Sequence, residues 1–362
     1  MKLQQTTLAA ALTAALALGI SGQAGASVYA GSSLFISGET LTVSAQNGSI
    51  LTGFNIDSFL FTVSGTAGLN GVSTGGSTSC GSTGAASLGG IPNDCSAGSP
   101  RLGALPYTVG SPTRTGSDFS FFGPGADEYG TSNGEITTAE LTGDPSTAVK
   151  TLSEAEIQPS GNGTENASGT SSVISNTTAT WEFTITFDPT TGDPNADGFG
   201  DVTVSFFADP DLLAQSNVLA PPTITSISST ASTSGLVSLS RSTTTGQMTW
   251  APSGATTDCG GFGGINGIVT CGTEVDPENL NGQVQIGTNP DSDQYSRTAG
   301  DSGLQFYSIT FNGLTSGTYS VGLSATSQAT VRVTSVPEPG MLSLLGLGLV
   351  GMGVAARRKN RA

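Results

Sequence analysis

The sequence contains no histidine and few charged residues of either sign. Without histidine, the chain cannot form a Ser-His-Asp triad, a Cys-His dyad, a histidine-ligated zinc site or a pH switch that titrates near neutrality. Positive charge is the scarcer sign, because 11 Lys and Arg residues stand against 27 Asp and Glu residues, for a net charge of -16. Nucleic-acid affinity depends on clustered basic side chains that release counterions, so the sequence predicts no nucleic-acid partner.

Large apolar residues are also scarce, since hydrophobic residues make up 36% of the chain and aromatic residues 6%. Their place is taken by small neutral residues, including 52 glycines. This composition favours strands that are joined by many turns. Two stretches, 65–117 and 159–175, are so poor in large apolar groups that we expect them to be poorly ordered.

Residues 1–26 have the parts of a secretory signal peptide. Lys2 supplies the positive n-region, an apolar stretch follows at 8–20, and small residues mark a cleavage site. Signal peptidase is therefore an expected partner. An N-terminal membrane anchor is the alternative, but the apolar stretch is shorter than the ~17 to 25 residues that a spanning helix needs. The residues of the predicted cleavage site are Ala24, Ala26 and Ser27.

An uncharged, Gly- and Leu-rich stretch at residues 340–356 precedes a basic C-terminal tail. At ~1.5 Å per residue a helix of this length reaches about 25 Å, which predicts one transmembrane helix across a thin bilayer. The basic tail stays in the cytoplasm, so residues 27–335 are expected outside. A buried core helix is the alternative, and the basic tail disfavours it. The stop-transfer residues are Arg357, Arg358, Lys359 and Arg361.

A short motif, Val336, Pro337, Glu338 and Pro339, stands directly before that stretch. The Pro-Glu-Pro sequence, the Gly- and Leu-rich helix and the basic terminus together resemble a PEP-CTERM sorting signal. The resemblance implies an exported protein of a Gram-negative bacterium that is held transiently in the inner membrane. It also implies cleavage near the motif by an exosortase, a membrane-embedded cysteine transpeptidase, and a final location at the cell surface or outside the cell. Two prolines exclude helix at the motif and keep it extended.

Residues 27–335 show the period-two alternation that is typical of strands. The clearest run, from Thr180 to Phe187, alternates apolar and polar side chains, and residues 202–206 repeat the pattern. The sequence therefore predicts an all-β, acidic ectodomain, most simply an antiparallel β-sandwich. A solenoid is the alternative fold, although the chain shows no fixed-period repeat.

Two local patterns add detail to this fold. The run from Leu314 to Tyr319 resembles a tyrosine corner, in which the Tyr hydroxyl bonds back to the backbone at the turn into a late strand. An ordinary Tyr that leads a strand is the alternative. Asp144 and Pro145, as N-cap and first helical residue, predict a helix toward Ile157, the one helix expected outside the membrane segments.

Four cysteines lie in a region that is predicted to enter an oxidising compartment, so we expect disulfides. Three pairings are open, and the sequence-local one joins Cys80 to Cys95 and Cys259 to Cys271. A zinc site is disfavoured, because no two cysteines have the C-x2-C spacing.

An acidic loop between two predicted strands is the candidate metal site. It carries oxygen ligands at positions one, three, five and nine, with Gly198 at six, and this spacing resembles a calcium-binding loop. Position twelve is Val204 in place of the bidentate Glu, so carbonyls, water or Asp188 would complete the site. A polar hairpin loop is the alternative. The candidate calcium ligands are Asp193, Asn195, Asp197 and Asp201.

Three functions are compatible with these features. The first is a non-enzymatic surface or matrix protein with a structural or interaction role among exopolysaccharide and other surface proteins. The second is a calcium-dependent carbohydrate-binding or adhesive module. The third is a glycosidase with a carboxylate pair, for which no local motif is present. Other acids, including Glu274, Asp276 and Glu278, are interpreted as solvated loop charge.

Overall fold

The structure, a computed structural model, describes residues 27–46, 48–86, 101–102, 106–137, 141, 148–158, 169–189, 198–217, 224–255, 257–262, 269–287, 295–300 and 302–335. Every regular element within these residues is a β-strand, which confirms the all-β prediction. The strands are β1 Val28–Ala45, β2 Ser49–Leu69, β3 Val72–Ala86, β4 Arg101–Leu102, β5 Tyr107–Gly110, β6 Tyr129–Thr137, β7 Ala148–Ile157, β8 Gly169–Pro189, β9 Phe199–Ser216, β10 Ile224–Arg241, β11 Gln247–Trp250, β12 Cys259–Phe262, β13 Thr270–Val275, β14 Gln283–Gly287, β15 Tyr295–Ala299, β16 Gln305–Thr315 and β17 Gly317–Ser335.

The strands form two antiparallel sheets that pack face to face. Sheet A has the order β13-β16-β9-β1-β7-β6-β4, with β15 paired to β9 and β5 paired to β6. Sheet B has the order β12-β11-β10-β17-β8-β2-β3, with β14 paired to β10. The architecture is that of a sandwich, as predicted.

The alternating strand patterns are confirmed, and their apolar faces build the core between the sheets. In β8, Trp181, Phe183 and Ile185 are at most 1% exposed. They meet residues of the opposite sheet, among them Val202 and Phe206 of β9, in one hydrophobic cluster. Burial of such side chains contributes about 1.5–3 kcal/mol each, so this aromatic-rich cluster is the main source of hydrophobic stabilisation.

The predicted helix at 144–157 is wrong where the structure describes it, because Ala148–Ile157 is strand β7. It pairs with β1 on one side and β6 on the other. Val149 and Ile157 face sheet B, while Glu154 and Glu156 point to the opposite face. Pairing on both sides satisfies the backbone, and this tertiary effect overrides the helix-start signal of residues 144–145, which lie outside the described residues.

Parts of the two stretches that were expected to order poorly are regular strands. Residues 65–69 end β2, residues 72–86 form β3, and residues 169–175 begin β8. The backbone of residues 169–175 is paired with β17 along its whole length, and residues 171–175 are also paired with β2. Backbone hydrogen bonding therefore orders segments that side-chain composition alone would leave loose. Residues 87–100, 103–105 and 159–168 lie outside the described residues.

The tyrosine corner is confirmed at the step from one sheet to the other. The Tyr319 hydroxyl donates to the Thr315 carbonyl at 2.9 Å, and the side chain is fully buried. Thr315 ends β16 in sheet A and Tyr319 lies near the start of β17 in sheet B, with only Ser316 between the strands. The hydrogen bond thus fixes the shortest crossover of the fold that the described residues contain.

A disulfide joins Cys259 to Cys271, as the sequence-local pairing predicts. Cys259 lies on β12 and Cys271 on β13, which are edge strands of different sheets, with Cα atoms 5.9 Å apart. The bond therefore closes one side of the sandwich. Cys80, on β3, is also disulfide-bonded, whereas Cys95, its predicted partner, lies outside the described residues.

The described residues include no helix long and apolar enough to cross a membrane. The predicted signal peptide at 1–26 and the predicted spanning helix at 340–356 both lie outside those residues.

Candidate functional site

The final strand runs without interruption to the edge of the predicted sorting signal. Ser335, the last residue of β17, is paired with Ile224 of β10. Two residues earlier, Val333 is buried in a second, smaller hydrophobic cluster of Val, Ile, Leu and Ala side chains. The folded domain therefore reaches the residue before Val336. The motif residues 336–339 and the basic residues 357–359 and 361 lie outside the described residues.

At the other terminus, the predicted cleavage site meets the fold equally closely. Ser27 is 3% exposed, and its carbonyl accepts a hydrogen bond from the Asn217 backbone N–H at 2.8 Å. Val28 begins β1 and is fully buried. Ala24 and Ala26 lie outside the described residues.

Of the four candidate calcium ligands, the structure places Asp201 alone. Its carboxylate accepts the Gln46 side-chain amide at 2.5 Å and the Gly313 N–H at 3.4 Å, so it already ties three segments together. Val204 packs into the core and offers no ligand. The other three candidates, residues 193, 195 and 197, lie outside the described residues. Within the described part of the chain, no group of three or more His, Cys, Asp or Glu side chains is arranged to hold a metal ion.

A buried carboxylate, which the sequence analysis did not identify, organises the outer face of sheet A. Glu154 of β7 is fully buried and forms an ion pair with Arg114, whose side chain is also fully buried. One oxygen, Oε1, accepts the hydroxyls of Tyr29 at 2.8 Å and Tyr129 at 3.2 Å. The same oxygen accepts the backbone N–H of Phe122 at 2.8 Å. A carboxylate with this many donors keeps its charge in the interior, because each donor replaces lost hydration.

Glu156, two residues along the same strand face, repeats the arrangement with backbone donors. Its oxygens accept the N–H groups of Gly125 at 2.6 Å and Ala126 at 3.2 Å. Arg114 adds hydrogen bonds to the carbonyls of Asp118 at 3.0 Å and Ser120 at 2.8 Å. Together these contacts hold residues 111–128, which we name the strap, against the outer face of β6 and β7.

Burial raises the pKa of Glu154, and the Arg114 charge and the Tyr29 hydroxyl offset part of that rise. Burial, followed by the charge of Glu154, raises the pKa of both Tyr29 and Tyr129, so these hydroxyls remain protonated donors. Burial likewise raises the pKa of Glu156, against the backbone hydrogen bonds that favour its charge. Because protein groups surround the Glu154 carboxylate, its role is to hold the strap against the outer face of sheet A.

A second acidic arrangement lies beside the Cys259–Cys271 disulfide. The side chains of Asp258 and Asp276 both accept the Ser253 N–H, at 2.7 and 2.9 Å, so the two carboxylates converge on one donor. Glu274 accepts the backbone N–H of Asp258 at 3.0 Å. Glu274 and Asp276, interpreted from the sequence as solvated loop charge, both accept defined backbone hydrogen bonds, and Glu274 lies on strand β13. No local sequence pattern indicates the contact between residues 253 and 276, because they lie 23 positions apart in the chain.

The two aspartates of this pair titrate differently. Burial, and then the hydrogen bond with Asp258, raise the pKa of Asp276 to about 6. Burial also disfavours the charge of Asp258, but hydrogen bonds from Ser253 and Asp276 outweigh it and lower the pKa. Asp258 thus holds the charge while Asp276 holds the proton in mildly acidic solution, as expected for two carboxyl groups that share one site.

An exposed aromatic pair lies on the outer face of sheet A. Phe207 of β9 and Phe306 of β16 are cross-strand partners, 43% and 44% exposed. Their ring centroids are 5.5 Å apart and the ring planes meet at 64°. Leu304, 51% exposed, precedes the same strand. Exposed apolar groups that cluster in this way are candidates for a contact surface.

Comparison with known proteins identifies the C-terminal region. Residues 335–359 match the family model described as the PEP-CTERM protein-sorting motif, which confirms the resemblance drawn from the motif, the apolar stretch and the basic tail. No curated protein matches the chain, and no solved structure matches it. The match concerns the sorting of the chain. The function of the β-sandwich has to be inferred from the residues of the sandwich itself.

Proposed function

We propose that this chain is an exported, exosortase-processed protein of the cell surface or extracellular matrix, with a non-enzymatic structural or interaction role in association with exopolysaccharide. The observation that carries the proposal is the sorting motif at 335–359, joined directly to the last strand of the sandwich. The motif implies exosortase as the processing partner and membrane-anchored processing on the way to the surface. The inter-sheet disulfide supports export, because such bonds persist in oxidising compartments.

Processing at both ends is the first test. The mature chain is expected to begin near Ser27, after signal peptidase, and to end near Pro337, after exosortase. The native host is fractionated with and without its exosortase, and the intact mass of the surface species is measured. In the strain without the enzyme, we expect the chain to stay in the inner-membrane fraction with its basic tail. A surface species that keeps residues 357–362 in the normal strain would contradict the proposal.

The exposed aromatic pair favours carbohydrate binding as a second candidate function. Phe207 and Phe306 present ring surface to solvent on neighbouring strands, and aromatic rings of this kind can pack against the apolar face of a sugar ring. Retention on host exopolysaccharide is measured for the wild type and for Phe306→Ser. The matched control is Leu60→Ser, since Leu60 is 52% exposed on β2 in sheet B. Loss of retention with Phe306→Ser alone supports this function, and equal retention by all three proteins contradicts it.

A further inference from the structure

Both ends of the described chain lie at one end of the sandwich. Ser229 on β10 donates a hydrogen bond through its hydroxyl to the Tyr29 carbonyl on β1. Ser32, also on β1, donates to the Gln328 carbonyl on β17 at 2.9 Å. β1 leads away from Ser27 and β17 leads toward Ser335, so these contacts bring the first and last described residues to the same end.

The turn between β2 and β3 belongs to this end too. Leu69 and Val72 are paired, and Leu69 is also paired with Ser171 of β8, only two residues from the level at which β8 meets Val333. Val72 is 62% exposed at the tip of the turn. We name the group formed by Ser27, residues 70–72 and Ser335 the terminal end.

The opposite end is far away along the strands. β17 runs for 19 residues from Gly317 to Ser335, which corresponds to about 60 Å at ~3.3 Å per residue. Gly198 lies at that distant end, because its N–H donates to the Ser49 hydroxyl, and residue 49 begins β2. Thr243, in the turn after β10, lies there as well, since Arg241 is paired with Tyr319. These turns form the distal end.

The tether between the fold and the predicted span is short compared with the molecule. Only residues 336–339 separate Ser335 from the stretch that begins at Gly340. Fully extended, these five steps cover at most roughly 18 Å, less than a third of the length of β17. The two prolines among them restrict the tether further. Ser335 of an anchored chain therefore lies within roughly 18 Å of the lipid, which excludes an orientation with the distal end toward the bilayer and the terminal end away from it.

We infer that the terminal end faces the lipid bilayer while the chain is anchored, so that the sandwich stands upright and the distal end projects about 60 Å outward. The inference rests on the proposed function, because it needs the span at 340–356. Val72 gives the terminal end an exposed apolar tip, and Arg332, exposed on β17 three residues before Ser335, adds a cation, while Glu128, which accepts the Asn70 side-chain amide at 3.4 Å, adds an acid beside the same turn. A ligand that approaches from outside meets the distal end first.

Depth-dependent quenching tests the orientation. The full chain, with its C-terminal segment, is reconstituted into vesicles of phosphatidylethanolamine and phosphatidylglycerol that carry a nitroxide on a headgroup. A fluorophore is attached to one added cysteine, under conditions that keep the native disulfides, in Val72→Cys, Leu60→Cys or Thr243→Cys. All three positions are exposed, and they sample the terminal end, the middle and the distal end. We expect strong quenching at 72, weak quenching at 60 and none at 243.

Flotation of the vesicles distinguishes a failure of membrane anchoring from a failure of the proposed orientation. A chain that does not float with the vesicles lacks the span and overturns both this inference and the anchoring part of the proposed function. A chain that floats but is quenched equally at 72 and 243, or more at 243, overturns the orientation alone.

A lengthened tether tests the cause. Insertion of twenty Gly and Ser residues between Ser335 and Val336 frees the domain by about 25 Å on average. We expect flotation to be unchanged and quenching at 72 to fall several-fold. Undiminished quenching would show that the terminal end binds lipid by itself, and it would overturn the argument from the short tether.

Discussion

The Glu154 site and the Asp258–Asp276 pair show two ways in which an acid-rich chain handles converging carboxylates. On the strap side, Glu154 is fully buried and is balanced by Arg114, two tyrosine hydroxyls and backbone N–H groups. On the disulfide side, Asp258 and Asp276 share one backbone donor, and among the described residues no ion pair joins either of them to a cation. In the first region a cation and several donors balance the buried charge. In the second, Asp276 keeps its proton only below about pH 6, and a disulfide closes the region.

The difference follows from the scarcity of basic residues. With 11 Lys and Arg in the chain, several of them in the terminal segments, cations are available for few of its acids. A deeply buried carboxylate requires a cation or many donors, because leaving it uncompensated costs several kcal/mol. A half-exposed pair tolerates the absence of one, since water screens the repulsion. Glu154, the most deeply buried of these three acids, is therefore the one that is paired with an arginine, Arg114.

Loss of the strap cation is expected to have the largest effect. In Arg114→Met, the Glu154 charge stays buried without its ion-pair partner, and the free energy of unfolding should fall by about 3–5 kcal/mol. Urea unfolding measures the change. The double variant Arg114→Met/Glu154→Gln removes both charges and should recover part of the loss. If the single variant costs less than about 1 kcal/mol, the ion pair does not hold the strap and the comparison fails.

Loss of the covalent closure ranks second. The Cys259→Ala/Cys271→Ala variant opens a loop with a sequence separation of 12 residues, for which the chain-entropy model gives about 3 kcal/mol. Thermal unfolding of the oxidised wild type and the variant measures the difference. Because the variant lacks this disulfide, reducing agent cannot lower its Tm by opening this loop. A variant as stable as the wild type would mean that the edges of the two sheets hold together without the bond.

The proton on Asp276 predicts a smaller effect of opposite sign. Because its pKa is raised to about 6, stability from this group is complete below pH ~3.8, the ordinary Asp value, and is lost as the pH rises through 6. Asp276→Asn removes the repulsion and should stabilise the protein at pH 7 by about 1 kcal/mol, after allowance for solvent screening. Denaturation midpoints at pH 4, 5, 6 and 7 test this. Asp57→Asn, which alters an acid outside the pair, is the control, and an identical pH slope in both variants would refute the shared proton.

Calcium binding at residues 193–201 stays a prediction. A bound calcium ion would be a third way to balance the charge of acidic side chains. A loop without the terminal bidentate Glu should bind in the range of about 10⁻⁴ to 10⁻³ M. At millimolar calcium the stabilisation is then about 1 kcal/mol. Melting with calcium and with chelator, for the wild type and Asp197→Ala, checks it. The same rise in Tm in both proteins, or none in the wild type, would leave the loop a polar turn.

Local patterns predicted much of the fold and little of the interior charge. The alternation at 180–187 located a strand, and the run from Leu314 to Tyr319 located the corner, because both signals lie within a few neighbouring residues. The Arg114–Glu154 pair joins residues that are 40 positions apart in the sequence, and Ser253 contacts Asp276, which lies 23 positions away. No local period records such contacts. The helix-start signal at residues 144–145 was local as well, and it failed because pairing with two neighbouring strands decided the state of β7.

The sequence by itself determined the sorting motif and the strand faces, since each depends on residue types at short spacing, whereas the Cys259–Cys271 bond was one of three open pairings and was decided by the approach of two edge strands. Tertiary structure alone decided which sheet each strand joins, which carboxylates are buried, and that Ser27 and Ser335 share one end. The physical reason is that strands satisfy their backbone groups through partners distant in the chain. The environment of each outward side chain is therefore set by the register of those pairings.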